Sequence, residues 1–430
     1  MNPRLRFVVF VIFFALFLIT APLVVLYTQG YRYNFNNNRV QRTGILIVSS
    51  VPRRADIYLN NEKYAASQTP TKVEQLLAGD YEIRLEKEGY HSWRKRLPIF
   101  QNGSTFAEKV YLWKVASPEL VSTSTATWNT PVRGAYAIFN TPTSTLLDAD
   151  RDRVTPLGTT TKWTVSDWSP NNRLALLTTT TAAKQHHYAL VNLDRGTIES
   201  QPWKYERVRW NTNSDSRLVG KLNRTITQID IATNQTATVA TTTPTNTDFL
   251  LVDNTTYTRD ARNLYRHRNM QIETVGALEC ATCAFVDSRG PRLFMLDSER
   301  QQLEIVNLDD RRQSRVVTAR GVDWLSNDVL LYYNDWELWI YDLNKKEPEL
   351  ITRLSQPITA ARWHSAGRHI IFASGGVIKV IELDNREFRN ITDLAQFTTV
   401  SGLIVNSDGT ALYANAASST SWGVYKLELQ

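Results

Sequence analysis

Cysteine occurs only twice in these 430 residues, at Cys280 and Cys283. That scarcity excludes a multi-cysteine zinc protein and a disulfide-stapled miniature. Histidine is also sparse and scattered, six in all, which leaves little material for a metal centre. His186 and His187 are adjacent, and neighbours on a strand point to opposite faces, so simple geometry forbids one shared metal. The chain lacks G-x-S-x-G, H-E-x-x-H, a P-loop, a dinucleotide fingerprint and a D-x-D-x-D-G calcium loop. Each of those motifs places a nucleophile, a metal ligand or phosphate-cradling backbone, so none of those chemistries is expected. No catalytic residue, cofactor or metal follows from the sequence.

A dispersed basic surface is lacking as well. The formal charge is +7, but residues 1–43 hold five arginines and no acid, and residues 44–115 hold 11 basic against 8 acidic groups. Residues 116–430 hold 33 basic and 34 acidic groups, so the larger part of the chain is neutral. Nucleic-acid binding needs a counterion-releasing face, and none is evident. The excess sits beside an apolar run, where anionic lipid attracts basic residues by roughly 1 kcal/mol each.

That run covers residues 7–26 and has no charge; its one polar side chain is Thr20. As a helix it spans about 30 Å, the thickness of a hydrocarbon core. Arg4 and Arg6 precede it and predict a cytoplasmic N-terminus for residues 1–6. A cleaved signal peptide is the competing reading, but the run is longer than usual for one and lacks a small-x-small site. Residues 27–43 read as a linker, and everything beyond lies outside the cytoplasm under either reading.

Residues 44–115 contain short runs of alternating polarity separated by Asn60-Asn61, Glu88-Gly89 and Asn102-Gly103 turns. About six strands in so short a stretch predict a small antiparallel sandwich. The order G-x-L-x-V-x-S-x-P, A-x-I-x-L, T-P, L-x-x-G-x-Y-x-I-x-L and K-x-G-Y-x-x-W resembles the PEGA domain. The resemblance implies a surface module beside a membrane anchor and no catalysis. One departure matters: Arg54 stands where the name-giving tetrapeptide has Gly, so a turn needing φ > 0 would be strained or reshaped. Tyr90 and Trp93 are read as core rather than as a carbohydrate platform.

Residues 116–430 repeat. Trp168-Ser169-Pro170-Asn171-Asn172, Trp210-Asn211-Thr212-Asn213, Trp324-Leu325-Ser326-Asn327-Asp328 and Trp363-His364-Ser365-Ala366-Gly367 each join two β-rich runs. Val405-Asn406-Ser407-Asp408-Gly409 does the same without the Trp. The Trp spacings cluster near 40 residues, the length of a four-stranded propeller blade, and a step back from Trp168 reaches Trp128. Degenerate units are expected at Phe249 and Phe285. The count is eight blades, with seven as the alternative. Residues 118–123 lack a local partner and are expected to be the outer strand of the last blade. The motif resembles the repeats of TolB-like, WD-type propellers. Trp128, Trp168, Trp210, Trp324 and Trp363 are read as inter-blade packing.

The predicted fold class is therefore all-β: a transmembrane helix, a PEGA-like β-sandwich at 44–115, and a 7–8-bladed β-propeller at 116–430. Cys280-Ala281-Thr282-Cys283 falls between blades with no βαβ pattern, so the expectation is a local disulfide rather than redox catalysis. Thr-rich stretches at 159–161, 178–181 and 241–243 suit exposed strands and loops. The expected role is a non-catalytic binding or scaffold protein of a prokaryotic cell envelope, single-pass and N-terminus in. Its partners would be the membrane, through residues 7–26, and an envelope protein, a glycan or the cell wall, with no nucleic acid. The alternative is a propeller enzyme (lyase, glycosidase or quinoprotein type) with an axial-channel site.

Overall fold

The computed structural model describes residues 3–34, 38–65, 67–125, 128–131, 134–141, 143–158, 162–181, 185–243, 248–268, 271–345, 347–419 and 421–430. Of the Thr-rich stretches, 159–161 lies outside the described residues. The chain divides into two compact units. One is Met1–Val115 with Asp384–Thr392 and Gln430; the other is Ala116–Leu383 with Asp393–Leu429.

The first unit begins with one helix, Pro3–Thr28, whose residues 7–19 are all exposed. Two four-stranded sheets follow. In one, Arg39–Val51 pairs antiparallel with Tyr31–Asn34 and Thr71–Leu77, and parallel with Ser104–Tyr111. In the other the order is Glu62–Lys63, Asp56–Leu59, Gly79–Glu86, Trp93–Ile99. Alternate residues turn inward, so Leu46, Val48, Ile57, Ile83, Leu85, Trp93 and Leu97 form one core, with Tyr90 against it. Residues 27–43 depart from the linker expected of them. Tyr31–Asn34 and Arg39–Val51 pair antiparallel, with Tyr31 and Tyr33 opposite Arg42 and Val40. Arg54 takes φ +64, the left-handed conformation that a Gly would reach without a steric cost. Lys95 lies on the inward face and is fully buried; its Nζ donates to the Asp384 carbonyl at 2.7 Å.

The second unit holds eight four-stranded antiparallel sheets among the described residues. Blades one to seven cover residues 128–156, 164–201, 207–241, 248–277, 284–318, 321–353 and 358–396. Blade eight takes Thr399–Val405, Ala411–Ala417 and Trp422–Glu428, and its fourth strand is Glu119–Thr123 from the start of the unit. Fourth strands are exposed, whereas second and third strands are buried. Among the described residues, the one strand-to-strand pairing between blades joins first strands in parallel, Asn211 to Leu251, so first strands are innermost. Apolar clusters join each blade to the next from blade eight through one to seven. Phe397 and Tyr425, with ring centroids 4.9 Å apart, join seven to eight. The ring is closed, and the unit is an eight-bladed β-propeller.

Candidate functional site

The innermost strands carry the chemistry. Trp168, Trp324 and Trp363 each end a first strand, opposite the second residue of the strand that follows. Trp210 stands one residue before its strand ends. Immediately before these four stand Asp167, Asp323, Arg362 and Arg209. Trp128 is placed differently: it faces Phe139, the fourth residue of its neighbour, because a uniform 40-residue step ignores the shorter first strand of blade one. Its ring occupies the space a side chain at Gly402 in blade eight would need.

Each aspartate joins its own blade to the next. Asp167 accepts from the Trp210 amide at 2.8 Å, and Asp323 from the Trp363 amide at 2.8 Å. Asp248 does the same for Phe285 at 2.7 Å. The arginines reach further. Arg209 in blade three donates to Asp248 and Phe249 of blade four and, at 2.7 Å, to the Phe285 carbonyl of blade five. It also lies 3.7 Å from Asp167 of blade two. Arg362 in blade seven donates to Asp323 of blade six at 3.0 Å, Leu403 O of blade eight at 3.1 Å and Pro131 O at 3.2 Å. It also bonds Thr130 Oγ1, just after the first strand of blade one. The two arginines are four blades apart, and each ties four consecutive blades. The inner ring thus has an approximate two-fold pattern, with Asp167–Arg209 answering Asp323–Arg362.

Burial sets the electrostatics of these groups. Desolvation pushes the Asp323 carboxyl up, opposed by Arg362. Burial raises Asp287 likewise, against the pull of Arg289 2.8 Å away. For Arg209 burial alone would lower the guanidinium, but Asp248 and Asp167 outweigh it and hold it above its ordinary value.

A cleft of about 240 Å³ opens at the Trp ends of the strands of blades six to eight and at Gly134 of blade one. Asp323, Trp324, Arg362, Trp363, Ser365 and Asn406 line it. The Trp324 and Trp363 indole N–H groups are buried with no hydrogen-bond partner among the described residues. Most other lining groups hold turns: Asn406 Oδ1 accepts from the Thr410 and Ala411 amides, and Ser407 bonds Asp150. His364 sits beneath, buried, with Nε2 2.9 Å from Gly409 O and Nδ1 accepting from Ala366 N. Burial lowers its pKa, and the neutral Nε2–H tautomer satisfies both contacts. The cleft offers polar and aromatic side chains, and its acid and base are already bonded to each other.

Cys280 and Cys283 are disulfide-bonded and buried between blades four and five. Buried Glu304 accepts from the Glu279 and Cys280 amides, and buried Arg259 donates to the Ala281 and Cys283 carbonyls. The pair therefore closes a loop inside a packed seam. His186 and His187 are neighbours on one strand, facing opposite sides. No group of three His, Cys, Asp or Glu side chains able to hold a metal occurs among the described residues. The inner Asp and Arg residues escaped motif scanning, which looks for local signatures. The usable signal was the residue before each repeated Trp, which is charged in all four complete units.

No curated protein matches the chain. Solved structures that resemble it include the C-terminal WD40 domain of Sif2, at 12% identity over 73% of this chain and 99% of that one, TM-score 0.48. U3-55K matches at 9% identity over 73% of this chain and 98% of that one, TM-score 0.43. An oligogalacturonate lyase in complex with manganese matches at 10% identity over 62% of this chain and 88% of that one, TM-score 0.40. In the first unit, residues 43–111 match the family model of the PEGA domain, so this part of the chain carries a PEGA domain beside its propeller.

Proposed function

We propose that this is a membrane-anchored, extracytoplasmic binding or scaffold protein of a prokaryotic cell envelope, and that the cleft over Asp323 and Arg362 receives its partner. The anchor reading rests on the helix Arg6–Thr28, long and apolar enough to cross a bilayer. A disulfide in the propeller fits an oxidising compartment. The observation that carries the binding reading is the state of Arg362: its guanidinium is fully engaged in tying blades six, seven, eight and one together. A charged pair so engaged shapes a surface; it is not free to move protons. The cleft beside it is lined by polar and aromatic side chains, Ser365, Asn406, Trp324 and Trp363, which suits a peptide loop or a glycan.

The test is site-specific photocrosslinking in intact cells, with the crosslinker placed at Ser365 in the cleft or at Thr236 on an exposed outer strand. A discrete adduct from Ser365 alone is expected. Identical, diffuse adducts from both positions would count against a partner site at the cleft.

A further inference from the structure

We propose that the hairpin strands after the helix and the turn at residues 100–103 lie flat on the bilayer surface, holding anionic lipid phosphate with Arg42 and inserting Val40 and Phe100. This deepens, and rests on, the anchor reading above. Only Gln29 and Gly30 separate the helix from strand Tyr31–Asn34, and the junction is fastened rather than loose. The Gly30 carbonyl accepts from Thr43 N at 2.9 Å and from Thr43 Oγ1 at 3.0 Å, with Gly30 at φ +82. Arg32 donates to the Tyr27 carbonyl at the helix end at 2.9 Å and to Gln75 Oε1 at 2.6 Å, and its guanidinium lies 3.4 Å over the Tyr27 ring. A cation closing the last turn also suits the negative end of the helix dipole. The hairpin is therefore held firmly to the end of the helix.

The same fastening brings a second loop to the surface. Thr43, bonded to Gly30, also accepts from Asn102 N at 3.1 Å through its carbonyl, and Ile45 N bonds Gly103 O at 3.0 Å. Gln101 meets Arg39, Val40 and Gln41 along one groove. On this face Phe100 is 59% exposed and Val40 56%, with Tyr33 and Arg42 exposed beside them. Such apolar exposure is unfavourable in water and favourable at the headgroup boundary, where aromatic rings settle and arginines reach phosphate. From Gly30 to Asn34 an extended strand runs about 13 Å, so the hairpin stays within reach of the headgroup layer. Residues 27–43 contain three arginines and no acid, which makes the face complementary to an anionic leaflet.

The test uses the full chain in lipid nanodiscs of phosphatidylcholine, with or without phosphatidylglycerol, and an environment-sensitive fluorophore on Val40→Cys or Phe100→Cys. Quenching by a lipid-borne quencher is expected at both positions, stronger with phosphatidylglycerol. Arg42→Ala should lower surface occupancy about five-fold in the anionic discs, the equivalent of roughly 1 kcal/mol for one arginine. Labels quenched only by a water-soluble quencher in both lipids, in protein whose helix resists alkaline extraction, would overturn the proposal while leaving the anchor intact. Protein stripped from the discs by alkali would overturn the anchor reading and this proposal with it.

Discussion

Arg362 and His364 show how single residues hold the ring. Arg362→Lys keeps the charge but cannot span Asp323, Leu403, Pro131 and Thr130 at once, and it leaves Asp323 buried with a poorer partner. We expect a loss of about 2–4 kcal/mol in chemical denaturation, the range for breaking a buried pair; a loss under about 0.5 kcal/mol, typical of surface positions, would contradict that role. For His364, burial depresses the folded-state pKa while the unfolded chain titrates near about 6.5. As pH falls through that value the unfolded state gains a proton that the folded state refuses, so stability must fall, by up to about 1.4 kcal/mol for each pKa unit of depression. Buried His267, also lowered, adds to the same slope. The denaturation midpoint should drop between neutral and mildly acidic pH, and less so in His364→Gln; equal slopes in the two proteins would rule out this histidine as a cause. Arg54 gives the opposite sign. Its φ of +64 costs a non-Gly residue about 1–2 kcal/mol, partly offset because Gly loses more entropy on folding. Arg54→Gly should leave the first unit as stable or up to about 1 kcal/mol more so, whereas a clear loss would mean that the Arg54 side chain matters more than its backbone.

At the scale of elements, the turns between first and second strands nest against one another around the ring. A Cβ on Gly409 would collide with Ser365 Oγ and stand 2.6 Å from His364 Nε2, and φ there is +73. Gly290, at φ +52, has open space around it. Both pay the backbone cost of Ala at positive φ, about 1 kcal/mol, but Gly409→Ala adds a steric clash between blades seven and eight. Calorimetry should find Gly409→Ala at least about 1 kcal/mol the worse of the two; equal losses would mean that the turns do not interlock. Much of this was legible in the sequence. Regular Trp-turn spacing and the orphan segment at 118–123 announce blades and a closing strand, because a blade repeats a local pattern. The hairpin at 31–42 was not legible, since Tyr and Arg beside an apolar helix satisfy the interface pattern equally well. Nor was the Asp–Arg bracing of the axis: its partners lie about 40 residues apart, and only closure of the ring brings them together.

On the scale of the whole molecule, the sequence separates an apolar helix with an arginine-rich, acid-free flank from a neutral propeller, and that division of labour is the core of the functional reading. In the proposed function the helix fixes the first unit to a membrane, and the propeller presents a cleft whose charged side chains are committed to its shape. Both native cysteines are in one buried disulfide, so an added cysteine can be labelled selectively. The most direct measurement is labelling of Thr236→Cys, on an exposed strand of the propeller, with a membrane-impermeant maleimide in intact cells. The account predicts full labelling of membrane-bound protein without permeabilisation. Labelling only after the membrane is opened, or recovery of the protein in the soluble cytosolic fraction, would contradict it.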